Sequence, residues 1–292
     1  MNSLLHLSDT HFGTAQPHVV LAFERLASAQ APAIAVLSGD VTQRATRAQF
    51  AEARGFIDRL AIPRWVMVPG NHDIPLLNVW ARLLAPYGRY REALGAALAP
   101  EADLPGWRVL SANTTRWYRH KHGEISRQQV EHIASGLRAA ALADPHQLRV
   151  VVVHQPVAVQ HAEDKADVLR GSDAALREWA AAGADLVLGG HIHLPFAVPL
   201  HQRLPLARPL WAVQAGTAVS SRVRADVPNS VNLLHAQCRG SQRSCLLQRW
   251  DYAAASGEFE LDREDLLELA PALGSAASNT APGGDAELVH GR

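Results

Sequence analysis

Val68-Pro69-Gly70-Asn71-His72-Asp73-Ile74 closes the apolar run that begins at Trp65. A short, β-branched apolar run reads as a strand, and Pro-Gly stops it. An amide, an imidazole and a carboxylate stand at that stop in succession. The same pattern occurs four more times. Ser3–Leu7 runs into Asp9-Thr10-His11, Ala33–Leu37 into Gly39-Asp40, Val150–Val153 into His154, and Leu186–Leu188 into Gly190-His191-Ile192-His193. Ligands of open α/β sheets gather outside the carboxyl ends of the strands. Five ends carrying Asp, Asn or His can therefore face one place.

Helical patterns separate these strands. Pro17 to Gln30 has Pro in the first turn and Val20, Phe23, Leu26 and Ala27 on one face. Thr46 to Leu60 places Phe50, Ala53, Ile57 and Leu60 at helical spacing. Pro75 to about Leu98 is largely helical with a break near Pro86-Tyr87-Gly88. Ser126-Arg127-Gln128-Gln129 has the form of a capping box, and its helix is predicted to run to about Leu142. Ser172 to Ala182 is a further helix with Gly183 at its stop. Leu110–Ala112 adds a strand. After His193 the texture changes: Leu210–Val213, Ser230–His235 and Ser244–Trp250 read as strands without helices between them.

Helix-linked strands followed by a strand-rich part suggest two sheets face to face with helices outside. One domain over residues 1–262 is expected, and a largely disordered tail over 263–292, small and polar beyond Pro271. Glu258–Leu269 is read as one acidic helix before that tail.

Bulk properties bound the function. The chain has 292 residues, 48% of them hydrophobic, enough for a sizeable core. No apolar stretch approaches the roughly 20 residues of a membrane helix, and the N-terminus does not read as a signal peptide. The expectation is a cytoplasmic protein without a membrane span. Basic and acidic residues balance at 28 each, which gives no bulk electrostatic footprint for nucleic acid. Cys238 and Cys245 flank a hairpin-like stretch, but cytosolic thiols stay reduced as a rule.

The strand ends supply two carboxylates (Asp9, Asp40), four imidazoles (His11, His154, His191, His193) and one neutral oxygen (Asn71). In an extended segment residues i and i+2 point the same way. Asp9 with His11, and His191 with His193, can then each present both members to one ion. Seven ligands exceed one tetrahedral ion and suit two ions of higher coordination, with one carboxylate as a bridge. Asp/His/Asn ligation without thiolates suits Mn, Fe or Zn. Two such ions can clamp a phosphoryl group and activate a water between them.

This order of motifs resembles the calcineurin-like metallophosphoesterase superfamily, and within it the bacterial cyclic-AMP phosphodiesterase-like (class III) proteins. The segments that carry the resemblance are Leu7-Ser-Asp-Thr-His-Phe-Gly13, Leu37-Ser-Gly-Asp-Val-Thr-Gln43 and Val68 to Ile74. The resemblance implies a four-layer αββα sandwich of two mixed β-sheets flanked by helices, with a binuclear metal centre at its edge. It implies that Asp9, His11 and His193 bind the first ion, that Asn71, His154 and His191 bind the second, and that Asp40 bridges them. His72 would be the catalytic histidine and Asp73 would orient it. Gly-Asp continues as Val-Thr-Gln-Arg, which argues against the Ser/Thr protein phosphatase branch. Gln155 stands after His154 where relatives often carry a histidine, a position expected to face substrate.

The function expected on this basis is hydrolysis of phosphodiesters by a metal-bridging hydroxide, with 3',5'-cyclic nucleotides as the leading substrate. The alternatives are a phosphomonoesterase, a nucleotide or lipid pyrophosphate hydrolase, and a non-catalytic metal-bound scaffold. The partner expected is a small phosphoester; a homodimer stays open. Arg222, Asn229, His120, His122, Asn113, Thr114 and Trp117 are weaker candidates for the cleft, with Arg222 read first as a solvated loop residue.

Overall fold

Apolar residues on both faces of the same strand determine the architecture. In strand β1 (Ser3–Leu7) the run is buried throughout; Leu4 points to one layer and Leu5 and Leu7 to another. Strands buried on both faces read as continuous apolar runs. The computed structural model describes residues 3–224 and 226–272. After β1 follow α1 (Pro17–Gln30), β2 (Ile34–Leu37), α2 (Arg47–Leu60), β3 (Trp65–Met67), α3 (Val79–Leu84), α4 (Gly88–Leu94), β4 (Ala102–Leu104) and β5 (Trp107–Ser111). Next come α5 (Arg127–Ala143), β6 (Leu148–Val152), α6 (Ser172–Ala182), β7 (Leu186–Gly189), β8 (Phe196–Pro199), β9 (Trp211–Gln214), β10 (Ser230–Arg239), β11 (Gln242–Ala253) and β12 (Glu258–Glu268).

These strands form two six-stranded mixed sheets, ordered β12-β11-β10-β1-β2-β3 and β4-β5-β6-β7-β9-β8. In the first, β1, β2 and β3 are parallel, and β10 joins β1 antiparallel with Ser3 opposite His235. In the second, β5, β6, β7 and β9 are parallel, flanked by antiparallel β4 and β8. Three apolar layers separate four structural ones. Val19, Phe23, Phe50 and Phe56 of α1 and α2 pack on the outer face of the first sheet. Ile133, Leu137, Leu176 and Trp179 of α5 and α6 cover the second. Leu4, Val36, Val66, Trp107, Val150, Leu188 and Leu234 fill the space between the sheets. This is the αββα sandwich expected.

The local signals account for the helices. Thr46 caps α2 by accepting the Gln49 N–H, and Ser126 and Gln129 form the capping box of α5. Gly183 ends α6 with φ 106°. The helix expected over 75–98 is two short pieces, because Pro86-Tyr87-Gly88 divides it.

The acidic helix expected over Glu258–Leu269 is a strand. β12 pairs along its length with β11, with Phe259 in the α1–α2 layer and Leu267 between the sheets. A pairing edge decided this segment over its composition. Because β12 reaches Glu268, paired structure crosses the expected boundary at residue 262. Of the expected tail, residues 273–292 lie outside the described residues. Cys238 and Cys245 are both free. They are not opposite one another, since Cys238 faces Arg243 and Cys245 faces Ala236, and Cys245 is buried between the sheets. Among the described residues no helix is long and apolar enough to cross a membrane.

At the amino ends of β6 and β7 a charge cluster joins the two sheets. Asp185 accepts from Arg243 at 2.6 and 2.8 Å, from Arg208 at 3.0 Å and from the Arg149 backbone N–H at 2.9 Å. Arg149, Arg243 and Asp185 are all buried. Removing one partner of a buried ionic group leaves uncompensated charge. Asp185→Asn is therefore expected to lower stability by about 3–5 kcal/mol, read as a reduced urea midpoint. A midpoint equal to wild type would show that the three guanidinium groups do not depend on this carboxylate.

Candidate metal centre

All five strand exits converge, but not by extended alternation. β1 ends at Leu7 and β7 at Gly189, before the ligand pairs begin. Asp9, His11, Asp40, His191 and His193 instead adopt φ of 53°, 41°, 50°, 77° and 58°. Non-glycine residues in this left-handed region cost of order 1–3 kcal/mol each and persist only where the surroundings enforce them. Here the loops are laced together. Asp9 N–H donates to Gly39 O at 3.0 Å, His11 N–H to Asp40 O at 3.0 Å, and Gly190 N–H to His154 O at 2.9 Å. Two glycines clear the space. A Cβ on Gly70 would collide with the backbone and carboxylate of Asp40, and one on Gly190 with Ser8 Oγ and, at 2.6 Å, with Asp9 Oδ2.

Two triads result: Asp9, His11 and His193 in one, Asp40, His154 and His191 in the other. His11 Nε2 and His193 Nε2 each lie 3.7 Å from Asp9 Oδ1. Asp40 faces both groups, with Oδ2 3.7 Å from His11 Nε2 and Oδ1 3.4 Å from His154 Nε2. Asn71 Oδ1 lies 3.3 Å from His154 Nε2, and His191 Nδ1 lies 3.3 Å from the same atom. All seven residues expected as ligands are thus brought together.

The donor atoms fit cations. Asp9 Oδ1, both ring nitrogens of His11 and His191 Nε2 are buried without a hydrogen-bond partner among the described residues. Buried polar atoms are rarely left so, and an ion is one standard reason. The second oxygen of Asp9 accepts the His191 N–H at 2.9 Å, which leaves Oδ1 for a ligand bond. Two rings are held from behind. His154 Nδ1 donates to Ser38 O at 2.8 Å. His193 Nδ1 meets Thr217 Oγ1 at 2.6 Å, and that hydroxyl donates to Arg222 O. Partners of this kind fix tautomers and turn Nε2 inward.

The electrostatics agree. Burial would raise Asp9, but His193 and His11 outweigh it and hold the carboxyl below the usual range. Burial opposes charge on His154, yet the adjacent Asp40 raises it to about 9. Burial lowers His191 and His193.

Asp73, expected to orient His72, makes its hydrogen bonds to other groups. Its carboxylate accepts Thr42 N–H at 2.8 Å, Gly70 N–H at 2.9 Å, Val41 N–H at 3.1 Å and the Thr42 hydroxyl at 2.9 Å. These bonds staple the Asp40 loop to the Asn71 loop. They oppose burial and the Asp40 charge, which push the Asp73 carboxyl up to about 6. His72 Nδ1 instead donates to Gln43 O at 3.0 Å, and Nε2 lies 3.2 Å from Arg222 Nη1. Burial lowers the His72 ring, with His11 and Arg222 reinforcing it against Asp40.

Through Asp40, His191 and His193 the triads open onto a cleft of about 550 Å³. Its walls hold Asp40, Asn71, His72, His191 and His193, together with residues the motifs do not mark: Lys121, Asp164, Asp167, Arg222 and Arg224. Arg222, read from sequence as solvated, faces the cleft beside His72. His120, a weaker candidate from sequence, also lines it. Gln155 does not face the cleft: it is fully buried, accepting from Thr114 Oγ1 and donating to Lys121 O at 3.4 Å. Asn113 accepts from Thr115 within its own turn, and Asn229 donates to Ser220 O beneath the loop. Asp164 and Asp167 carry no sequence signal, since their short turn is defined only by what packs against it.

The profile of the calcineurin-like phosphoesterase family matches residues 3–195, which include every residue of both triads, Asn71, His72 and Asp73. The chain belongs to this family. Its fold is similar to that of a purple acid phosphatase from yellow lupin (Lupinus luteus) seeds: TM-score 0.64, 12% identity, 91% of this chain and 53% of that one. The chain thus spans about half of the lupin protein. It is similar also to a dimetal phosphatase from Danio rerio, with TM-score 0.62, 11% identity, and 92% and 99% of the two chains covered. Comparison with curated protein sequences returns no match.

Two outcomes follow from the geometry. Asp40→Ala is expected to lose metal at both triads, measured as metal per chain after dialysis; retained two-metal stoichiometry would refute the bridge. Loading the apo protein with Mn or Zn at pH 7 is expected to release protons, because His154, at about 9, is protonated there and must be neutral to ligate. An unbuffered titration that stays at constant pH would contradict this.

Proposed function

We propose that the protein is a di-metal phosphohydrolase acting on phosphodiesters, with 3',5'-cyclic nucleotides as the leading substrate class. The observation that carries this reading is the pair of ligand triads meeting at Asp40 beside an open cleft, with donor atoms of Asp9, His11 and His191 left without partners among the described residues. Two divalent cations, Mn, Fe or Zn by ligand type, would supply Lewis acidity to phosphoryl oxygens and a water of lowered pKa. Asp9, His11 and His193 would hold one, Asn71, His154 and His191 the other, and Asp40 both.

The cleft's charge supports a diester. Lys121 is neutralised by Asp167 at 2.8 Å, and Arg224 by Asp164 at 2.9 Å and by Glu163. Arg222 makes no ion pair among the described residues; it contacts Gln43 Oε1 and His72 Nε2. A single uncommitted guanidinium beside two bound cations suits a monoanionic diester better than a dianionic monoester. Arg222 would grip a phosphoryl oxygen. His72, its ring fixed by Gln43 O, would present Nε2 to the leaving oxygen and donate a proton to it when charged.

The test is a panel of bis-p-nitrophenyl phosphate, p-nitrophenyl phosphate and cyclic AMP with the metal-loaded protein. The diesters are expected to turn over faster than the monoester. His72→Ala is expected to cost roughly 100-fold or more in kcat on cyclic AMP, less on the nitrophenyl diester, whose leaving group needs little protonation, and to leave metal content intact. Preferred monoester turnover would overturn the diester reading, and loss of metal in His72→Ala would overturn the role of His72.

A further inference from the structure

The segment after Ile74 exposes its apolar side chains. Leu77, Trp80 and Leu84 are 82%, 74% and 79% exposed, and Leu76, Val79 and Leu83 beside them are also exposed. No residue of α3 is buried. Monomeric soluble proteins rarely expose contiguous apolar patches of this kind without a partner. The patch continues onto a second loop: Arg82 donates to Arg119 O at 2.8 Å and Tyr87 to Thr115 O at 3.1 Å, and Trp117 and Tyr118 of that loop are exposed.

Charge identifies the occupant. Residues 75–95 carry Arg82, Arg89 and Arg91 against only Glu92, and residues 113–124 add Arg116 and Arg119 sharing the single Glu124, with Lys121 paired to Asp167, in a chain whose formal net charge is zero. Arg82 and Arg89 donate to carbonyls, of Pro75, Arg119 and Ala45, so their charge is not cancelled there. Exposed Leu and Trp in a basic surround match the composition of surfaces that insert into anionic lipid headgroups.

We infer that α3 and the 113–124 loop form a docking face for an anionic phospholipid surface. Leu77, Trp80 and Leu84 enter the headgroup layer and the surrounding arginines meet lipid phosphates. The face borders the cleft, because Leu76 shares a recess of about 220 Å³ with Asn71, His72, His120 and Arg222. Docking does not depend on the catalytic reading and is measured without substrate.

The experiment is co-sedimentation of the full chain with phosphatidylcholine vesicles, with and without phosphatidylglycerol. Light scattering of the protein alone is measured in parallel. Binding is expected only to the phosphatidylglycerol vesicles, weakening as salt rises. Leu77→Ser/Trp80→Ser/Leu84→Ser is expected to weaken it at least about tenfold, Trp80→Ser alone less, and Leu142→Ser, 88% exposed on α5, not at all. Absent or lipid-independent binding would overturn the proposal, as would a triple variant that binds like wild type. A wild-type dimer that the triple variant dissociates, without vesicle binding, would assign the face to a second copy of the chain.

Discussion

Asp40 sits where two sets of imidazoles meet, and its carboxylate can serve both only if the chain around it is held in a conformation it would not choose. Five candidate ligands adopt positive φ, a state that Asp and His enter more readily than most residues but that still costs energy outside glycine. The surrounding backbone enforces it. The Asp9 loop bonds to the Asp40 loop, the Gly190 loop bonds to the His154 loop, and Asp73 clamps the Asp40 and Asn71 loops with four further bonds. Both sheets must be in place before either triad exists, since β1 and β2 supply one side and β6 and β7 the other. The packed layer between the sheets therefore serves the site as directly as any ligand does.

A division of labour along the strands follows. Their carboxyl ends collect carboxylates and imidazoles among which Asp9 Oδ1, both His11 ring nitrogens and His191 Nε2 lack protein partners among the described residues. At the amino ends of β6 and β7, Asp185 is saturated by three arginines. Burial acts on both groups alike, and the difference lies in satisfaction. An ionic cluster built on a fully bonded carboxylate fastens the sheets, while a site with under-bonded ligand atoms has them left for cations.

Much of this was legible in the sequence because strands, stops and ligand types are local. Trp65 to Asp73 alone states strand, turn and donor set, and the capping box at Ser126 starts its helix where the structure does. Legibility failed where a distant partner decided. Glu258–Glu268 has the composition of an exposed helix, but the open edge of β11 recruited it as a strand. Asp9 and His11 converge through left-handed kinks and not by strand alternation, which only the Gly39 and Asp40 carbonyls across the loop make clear. The orienting contact to His72 comes from a backbone carbonyl, Gln43 O, which no side-chain motif can announce. Arg222 reaches the cleft from a loop that the motifs do not touch.

The antiparallel seam between β1 and β10 has a consequence for how the molecule is made. Ser3 and His235 are neighbours in the sheet yet more than two hundred positions apart in synthesis. While a ribosome produces the intervening polypeptide, β1 has only β2 for company on that side, with one margin open and Leu4 awaiting cover. Pairings this remote close slowly and leave half-made sheets exposed to association. Asp9 and His11 are translated nearly two hundred codons ahead of their companion His193. These two side chains thus wait long for their chemistry.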